Sequence, residues 1–145
     1  MAEPIRSVLF LCTQNACRSQ MAELWARALF GERLRVASAG TQPAVPHPLM
    51  LEVMKEAAVE VWSARSKHVD EVVEESWDLV VTLCDAAAEA CPTLPGAVRV
   101  EHHPFPDPAQ VEGSEEEVLD AFREVRSAIR QFVADLPVAD GPADE

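Results

Sequence analysis

The sequence predicts an α/β fold, a single three-layer domain in which a parallel sheet lies between helices. Two segments, SVLFLC at 7–12 and DLVVTLC at 78–84, are almost continuously apolar, which is typical of strands buried on both faces. Helical patterns alternate with the strands along the chain, and this alternation is typical of parallel sheets. A chain of 145 residues is long enough for one such core, so we assign residues 1–145 to one domain.

The remaining elements follow from the spacing of apolar residues. LRVAS and AVRVE are weaker strand candidates than the two above. In three places apolar residues recur at the spacing of an amphipathic helix. Pro137 ends the last helix, and Ser114 and Glu117 form a capping box at its start. The weaker strands are predicted at 34–38 and 97–101, and the helices at about 18–30, 49–57 and 118–132. Residues from about 137 to 145 are expected to form a flexible acidic tail.

Charge and composition narrow the possible functions. The formal net charge is −13, so neither nucleic acid nor an anionic membrane is an expected partner. The early apolar run at 8–11 is too short for a signal core or a membrane span. We therefore expect a cytoplasmic protein, in which thiols stay reduced. We therefore consider its cysteines as candidates for reactive roles rather than as a disulfide framework. The four cysteines are Cys12, Cys17, Cys84 and Cys91.

The segment CTQNACR at 12–18 joins the first strand to the first helix. A loop at such a junction can turn successive backbone N–H groups toward a tetrahedral oxyanion, with the positive end of the helix behind them. Arg18 adds a planar pair of donors, and the positive field favours the thiolate of Cys12, the form that attacks. The alternative is a plain turn with a surface arginine. The predicted oxyanion-binding residues are Thr13, Gln14, Asn15, Ala16, Cys17, Arg18 and Ser19.

Individual loop residues have further expected roles. Ser19 is placed to donate a hydrogen bond to the Cys12 sulfur. Asn15 is a residue type that tolerates the left-handed backbone that a tight loop needs. Cys17 is expected to pack into the core as a small hydrophobic residue. Because ligand sites of parallel sheets lie beyond the carboxyl ends of the strands, Cys12 and Cys84 are expected at the same edge of the sheet.

CTQNACRSQMAE, which begins at Cys12, resembles the phosphate-binding loop of the low-molecular-weight protein tyrosine phosphatases. It is still more similar to that of their relatives, the thioredoxin-coupled arsenate reductases. In both families a DP dipeptide carries the general acid, and PFPDP supplies Asp107 here. The resemblance covers roughly residues 6–136 and implies a four-stranded parallel sheet in the order 2-1-3-4. One departure is Gln14, where glycine is frequent in these loops.

The pair Cys84 and Cys91 distinguishes the two families, because phosphatase chemistry needs one cysteine. Seven residues on a helix separate two Cα atoms by about 10.5 Å, whereas a disulfide needs about 7 Å or less. The pair can therefore bond only if its alanine-rich segment unwinds. The alternative is that Cys84 is a core residue at a strand end and Cys91 is incidental. The DP dipeptide is followed by AQVEG and the chain contains no tyrosine, so little is available to stack on an aryl phosphate.

The resemblance to arsenate reductases implies a thiol relay. Cys12 attacks arsenate and Asp107 protonates the departing oxygen. Cys84 then attacks Cys12, arsenite leaves, and Cys91 attacks Cys84 to form a disulfide that thioredoxin reduces. Arg18 would bind the oxyanion throughout. We expect arsenate and thioredoxin as partners, a monomer, and a weak phosphatase side activity. The alternative function is a low-molecular-weight phosphatase that hydrolyses phosphate monoesters through a cysteinyl-phosphate. A non-enzymatic redox sensor would lack the nucleophile or the acid, and both are present.

Neither a metal nor a cofactor is expected. His102 and His103 with the two later cysteines lack the spacing of a zinc site. Some arsenate reductases of this type hold potassium beside the loop with acidic and hydroxyl groups. Part of that set is matched here by Asn15, Glu23 and Ser38, but Arg65 and Lys67 would repel a cation.

Overall fold

The computed structural model describes residues 3–72, 74–83 and 96–140. Its strands form one parallel sheet of four strands in the order β2-β1-β3-β4. This confirms the predicted fold class and strand order. The strands are β1 at Ser7–Leu11, β2 at Arg35–Ala39, β3 at Trp77–Thr82 and β4 at Ala97–His102.

The three predicted helices are present and carry the expected caps. They are α1 at Arg18–Phe30, α2 at Pro48–Glu56 and α3 at Glu115–Ala134. Before α3, the Ser114 hydroxyl accepts a bond from the Glu117 N–H and the Glu117 carboxylate accepts one from the Ser114 N–H. This is the predicted capping box, which satisfies two N–H groups at the helix start. None of the helices in the described ranges combines the length and apolar character needed to cross a membrane.

Each face of the sheet has its own apolar cluster, because successive side chains of a strand point to opposite faces. Val8 and Phe10 of β1 pack with α1, α2 and α3 in the larger cluster. Leu9 and Leu11 point to the other face. Among the described residues, a short 3-10 helix at Val69–Glu71 packs against this second face of the sheet. The buried β1 therefore holds the centre of a layered domain, as its continuous apolar run predicted.

The start of the predicted C-terminal tail is paired with the N-terminal segment of the chain. We predicted a flexible tail from about residue 137, but Val138 forms a parallel bridge with Ile5. The Ile5 N–H donates to the Pro137 carbonyl at 2.8 Å, and the Ala139 N–H donates to the Ile5 carbonyl at 2.8 Å. Ile5 is 2% exposed, so burial of its apolar side chain holds both segments in place. Residues 141–145 of the expected tail lie outside the described residues.

The strands are aligned so that their carboxyl ends meet. Leu11 pairs with Ala39 on one side and with Thr82 on the other, and Thr82 pairs with His102. The chain segments that leave these four positions therefore emerge side by side at one edge of the sheet. The first residues beyond the strands are Cys12, Gly40, Leu83 and His103.

Candidate active site

The loop from Cys12 to Arg18 turns its carbonyl groups away from its centre. Four successive carbonyl oxygens each accept a hydrogen bond from outside the loop. Because C=O and N–H of a trans peptide point in opposite directions, the N–H groups of residues 14–17 face the centre, which suits a bound anion. The bonds run from Gln42 N–H to Thr13 O (2.8 Å), Ala44 N–H to Gln14 O (2.9 Å), Ser66 Oγ–H to Asn15 O (2.7 Å) and His47 N–H to Ala16 O (2.9 Å).

Asn15 fixes the turn of the loop. Its φ is 49°, in the left-handed region predicted for it, and its side chain is completely buried. Its Oδ1 accepts the Lys67 backbone N–H at 2.9 Å, and its Nδ2 donates to the Ser19 hydroxyl oxygen at 2.8 Å. Gln14 has no positive φ, so the departure from glycine at this position costs no backbone strain.

Cys12 lies at the base of the loop and is buried, with 6% of the residue exposed. The Ser19 Oγ is 2.8 Å from the Cys12 sulfur. Since Asn15 donates to that same oxygen, the single hydroxyl hydrogen of Ser19 is available for the sulfur. This directs a hydrogen bond from the Ser19 hydroxyl at the Cys12 sulfur.

Arg18 links the loop to the segment that carries the expected acid. Its side chain is 8% exposed, and its Nη2 lies 3.6 Å from Asp107 Oδ2. Nη1 donates to the carbonyl of Phe105 at 3.2 Å and to that of Leu83 at 3.5 Å. Asp107 Oδ1 accepts the Ala109 N–H at 3.0 Å. The carboxyl group expected to act as the acid therefore borders the anion loop.

These groups surround a cavity of about 150 Å³. Sequence reasoning assigned no role to His47, which lines it. Its Nδ1 accepts the Leu49 N–H at 3.1 Å and so caps α2. The signal for this was the histidine directly before Pro48 at a helix start. The 150 Å³ cavity is lined by Cys12, Thr13, Gln14, Ala16, Cys17, Arg18, His47, Asp107, Ala109 and Gln110.

A larger groove of about 970 Å³ lies between α1, β2 and residues 58–63, and its described lining residues include neither cysteine nor histidine.

Comparison with known proteins places this geometry in a family. The family model described as low molecular weight phosphotyrosine protein phosphatase matches residues 7–139. The chain belongs to this family. Within it, the chain resembles proteins named arsenate reductase. One from Bacillus subtilis is 43% identical over 122 residues, which are 84% of this chain and 88% of that protein. One from Bacillus licheniformis is 42% identical over 128 residues, 88% of this chain and 92% of that protein.

Solved structures show the same relationship. An arsenate reductase in its reduced state superposes with a TM-score of 0.73 at 27% identity, over 92% of this chain and 97% of that one. A thioredoxin-dependent arsenate reductase of Corynebacterium glutamicum gives a TM-score of 0.61 at 31% identity, over 91% of this chain and 62% of that one. The low-molecular-weight phosphatase fold is therefore shared across the whole described domain.

Two predicted residues, Cys84 and Cys91, lie outside the described residues. Leu83, which precedes Cys84, is described: its N–H donates to the Leu11 carbonyl at 2.8 Å and its carbonyl faces Arg18. His102 ends β4, as expected, and its Nδ1 lies 2.5 Å from the Thr82 hydroxyl oxygen. No group of three potential metal ligands occurs in the described part of the chain.

Cys17 packs in the larger apolar cluster and is also one of the residues that line the cavity. Burial raises the pKa of its thiol, and the nearby Asp107 and Cys12 raise it further, against the opposing effect of Arg18. Cys17 remains a thiol, which agrees with the small hydrophobic role predicted for it.

The surroundings of Glu23 do not fit a potassium ion. Its Oε1 accepts the Ser38 hydroxyl at 2.6 Å, as the expected ligand pair would. However, the Lys67 Nζ lies 3.7 Å from that same carboxylate oxygen and donates to the Ser38 carbonyl at 2.9 Å. A cation placed there would meet the ammonium group at close range.

Gly40 is a second residue that sequence reasoning missed. A Cβ at this position would lie 2.4 Å from the Thr13 carbonyl oxygen, 2.6 Å from that of Cys12 and 3.0 Å from the Asn15 nitrogen. The signal was a glycine at a strand end, at the edge where the loop was expected. Only a residue without a side chain lets β2 approach the loop backbone this closely.

We expect Gly40→Ala to weaken phosphate binding and any Cys12 chemistry by about 10²-fold, since a displacement near 1 Å is enough for such a loss. Isothermal titration calorimetry with inorganic phosphate measures it. Gly31→Ala is the control, because Gly31 has φ of 54° but no atom within 4 Å of its added Cβ. That variant should lose stability and keep phosphate affinity. Equal phosphate affinity in Gly40→Ala and the unmodified protein would contradict the contact argument.

Proposed function

We propose that this protein reduces arsenate to arsenite through a relay of Cys12, Cys84 and Cys91, with thioredoxin as the final reductant. The observation that carries the proposal is a loop with Cys12 at its base and Arg18 and Asp107 at the same cavity, in a chain that also contains Cys84 and Cys91. Its relatives are named arsenate reductases, and one solved relative is described as thioredoxin-dependent.

The first step forms a bond between Cys12 and arsenic. The thiolate attacks arsenate held by the loop N–H groups and Arg18, whose donors match two of its oxygens. An arsenic–oxygen bond breaks, and Asp107 gives its proton to the departing oxygen, which leaves as water. The product is a Cys12–arsenic(V) adduct. No electrons have been transferred to arsenic at this stage.

The second step is the reduction. The Cys84 thiolate attacks the Cys12 sulfur, and the electron pair of the sulfur–arsenic bond stays on arsenic. Arsenic(V) becomes arsenic(III) and leaves as arsenite, while Cys12 and Cys84 form a disulfide. Leu83, one residue before Cys84, bonds to Arg18 through its carbonyl at 3.5 Å. The described chain is therefore in contact with the loop arginine one residue before Cys84.

The third step transfers the disulfide. Cys91 attacks Cys84, which releases Cys12 as a thiolate and leaves a Cys84–Cys91 disulfide. The dithiol of thioredoxin then supplies the two electrons that restore both cysteines. This chemistry suits the cytoplasm, where thiols are kept reduced. We propose that the protein acts as a monomer, since Cys12, Cys84 and Cys91 all belong to one polypeptide.

Phosphate-ester hydrolysis is the second candidate, because the first step serves a phosphate monoester equally well. The small cavity favours a free oxyanion over an aryl ester, since His47 is the single aromatic ring among its described lining residues. We therefore propose a weak phosphatase activity beside the reduction.

The deciding experiment compares two assays on the same preparation. One follows arsenate-dependent NADPH consumption with purified thioredoxin and thioredoxin reductase, and the other follows p-nitrophenyl phosphate hydrolysis. We expect sustained NADPH consumption and slow ester hydrolysis. Fast hydrolysis without arsenate-dependent NADPH consumption would make the protein a phosphatase and refute the proposal.

Asp107→Asn should slow the Cys12 step by about 10²–10⁴-fold, the usual contribution of a general acid. The amide keeps an oxygen for the Ala109 N–H, so oxyanion affinity should stay close to that of the unmodified protein. Single-turnover kinetics with arsenate, together with phosphate titration, separates the two effects. Glu112→Gln is the matched control, because it removes an exposed carboxylate from the same segment. An unchanged rate in Asp107→Asn would place the acid elsewhere.

A further inference from the structure

The Lys67 ammonium lies among oxygen atoms and is not among the described residues that line the cavity beside Cys12. Its Nζ donates to the carbonyls of Ser38 at 2.9 Å and Arg65 at 3.3 Å, and lies 3.7 Å from Glu23 Oε1. The lysine side chain is 13% exposed and the glutamate side chain 4%. The ammonium thus donates hydrogen bonds to two carbonyl oxygens and forms an ion pair with a buried carboxylate.

The backbone of the same residue contacts the loop. The Lys67 N–H donates to Asn15 Oδ1 at 2.9 Å, and the Lys67 carbonyl accepts the Gly40 N–H at 3.0 Å. Asn15 in turn donates to Ser19, whose oxygen lies 2.8 Å from the Cys12 sulfur. The ammonium is therefore connected to the nucleophile through one peptide group and two side chains.

We propose that the Lys67 ammonium acts as a built-in monovalent cation, which positions Asn15 and Ser19 for Cys12 and removes any need for potassium. Lys67 is then a positioning residue for the reaction proposed above. Only its expected effect on arsenate turnover rests on the proposed function. An ammonium group and a potassium ion bear the same charge and are similar in size, so both suit a set of carbonyl and carboxylate oxygens.

Glu23 is the acidic partner that offsets the cost of burying the Lys67 ammonium. Burial lowers the pKa of Lys67, Arg65 and Arg27 act in the same direction, and Glu23 and Glu71 act against it. Glu23 is also held by Arg27, whose Nε donates to Oε2 at 2.9 Å. Without Lys67, the carbonyls of Ser38 and Arg65 and one side of a buried carboxylate would lose their cationic partner, which is costly in the interior.

The test uses two variants that differ in the space they leave. Lys67→Ala removes the charge and opens a volume for a small cation, whereas Lys67→Met removes the charge and fills that volume. Lys55→Met is the control, because Lys55 is an exposed lysine of α2. The readouts are the rate of Cys12 alkylation by iodoacetamide, followed by peptide mass spectrometry, and the melting temperature. Each is measured in sodium, potassium and tetramethylammonium chloride at equal ionic strength.

We expect Cys12 alkylation at a fixed neutral pH to fall about tenfold or more in both Lys67 variants in sodium, as misplacement of a reacting group predicts. Potassium should restore the rate and raise the melting temperature of Lys67→Ala. It should do neither for Lys67→Met, and tetramethylammonium should restore neither variant. In the unmodified protein and in Lys55→Met, the rate of Cys12 alkylation and the melting temperature should be the same in all three salts.

Unchanged Cys12 alkylation in Lys67→Ala, or an equal potassium response in Lys67→Ala and Lys67→Met, would overturn the inference. The same holds if potassium accelerates the unmodified protein. Alkylation needs no arsenate, so a failure of the proposed function is separately visible. Potassium rescue of Lys67→Ala in a protein whose unmodified form consumes no NADPH with arsenate would support the role of Lys67 and refute arsenate reduction.

Discussion

Replacing Cys12 by serine should abolish arsenate reduction and phosphate-ester hydrolysis together, by at least about 10⁴-fold, as removal of an enzyme nucleophile does. Both reactions begin with the same sulfur, and a serine hydroxyl ionises far less readily than a thiol. The loop N–H groups and Arg18 remain, so inorganic phosphate should bind to Cys12→Ser with affinity close to that of the unmodified protein. Both rates and phosphate titration by calorimetry provide the measurement.

Phosphate titration of Cys12→Ser distinguishes loss of the nucleophile from loss of the loop structure. Cys12→Ser with intact phosphate affinity and no turnover assigns the chemistry to the sulfur rather than to the shape of the loop. Survival of either activity at a rate near that of the unmodified protein would show that Cys12 is not the nucleophile. Loss of phosphate affinity together with both activities would instead contradict the proposed anion site at the backbone N–H groups of the loop.

Cys84→Ser and Cys91→Ser should each eliminate sustained arsenate turnover with thioredoxin and leave slow p-nitrophenyl phosphate hydrolysis largely intact. The two variants should differ in a single turnover. Cys91→Ser retains the thiol that reduces arsenic, so it should release about one equivalent of arsenite per protein molecule and stop as a Cys12–Cys84 disulfide. Cys84→Ser should release none, because no thiol attacks the Cys12 adduct. Arsenite quantification with peptide mapping checks both statements.

The paired ester assay separates loss of the relay from loss of the fold. In the proposed mechanism hydrolysis uses Cys12, Arg18 and Asp107 but neither later cysteine, so hydrolysis would report an intact loop in both variants. Steady arsenate turnover in Cys84→Ser would remove the relay from the mechanism. A burst of equal size from Cys84→Ser and Cys91→Ser would mean that the order of the two cysteines is wrong.

Much of the fold was predictable because its signals are local. A buried central strand must be apolar on both faces, which is why SVLFLC identified β1. The α1 boundaries at Arg18 and Phe30 agree with the apolar spacing, and the Ser114–Glu117 capping box is a pattern of four adjacent residues. The bridge between Val138 and Ile5 was not predictable, also for a physical reason. Nothing in the sequence near Pro137 indicates that a backbone partner, Ile5, lies at the other end of the chain.

For the site, the sequence by itself determined the chemistry: a thiol, an arginine and an acid of the right types, on segments that follow strands or join them to helices. Only the tertiary structure decided what holds these groups in place. Gly40, His47 and Lys67 are distant from the loop in sequence, and their roles follow from distances of about 3 Å or less to its backbone or to Asn15. Such contacts depend on how β2, α2 and the segment before the 3-10 helix pack against the loop, and residue spacing along the chain does not encode that packing.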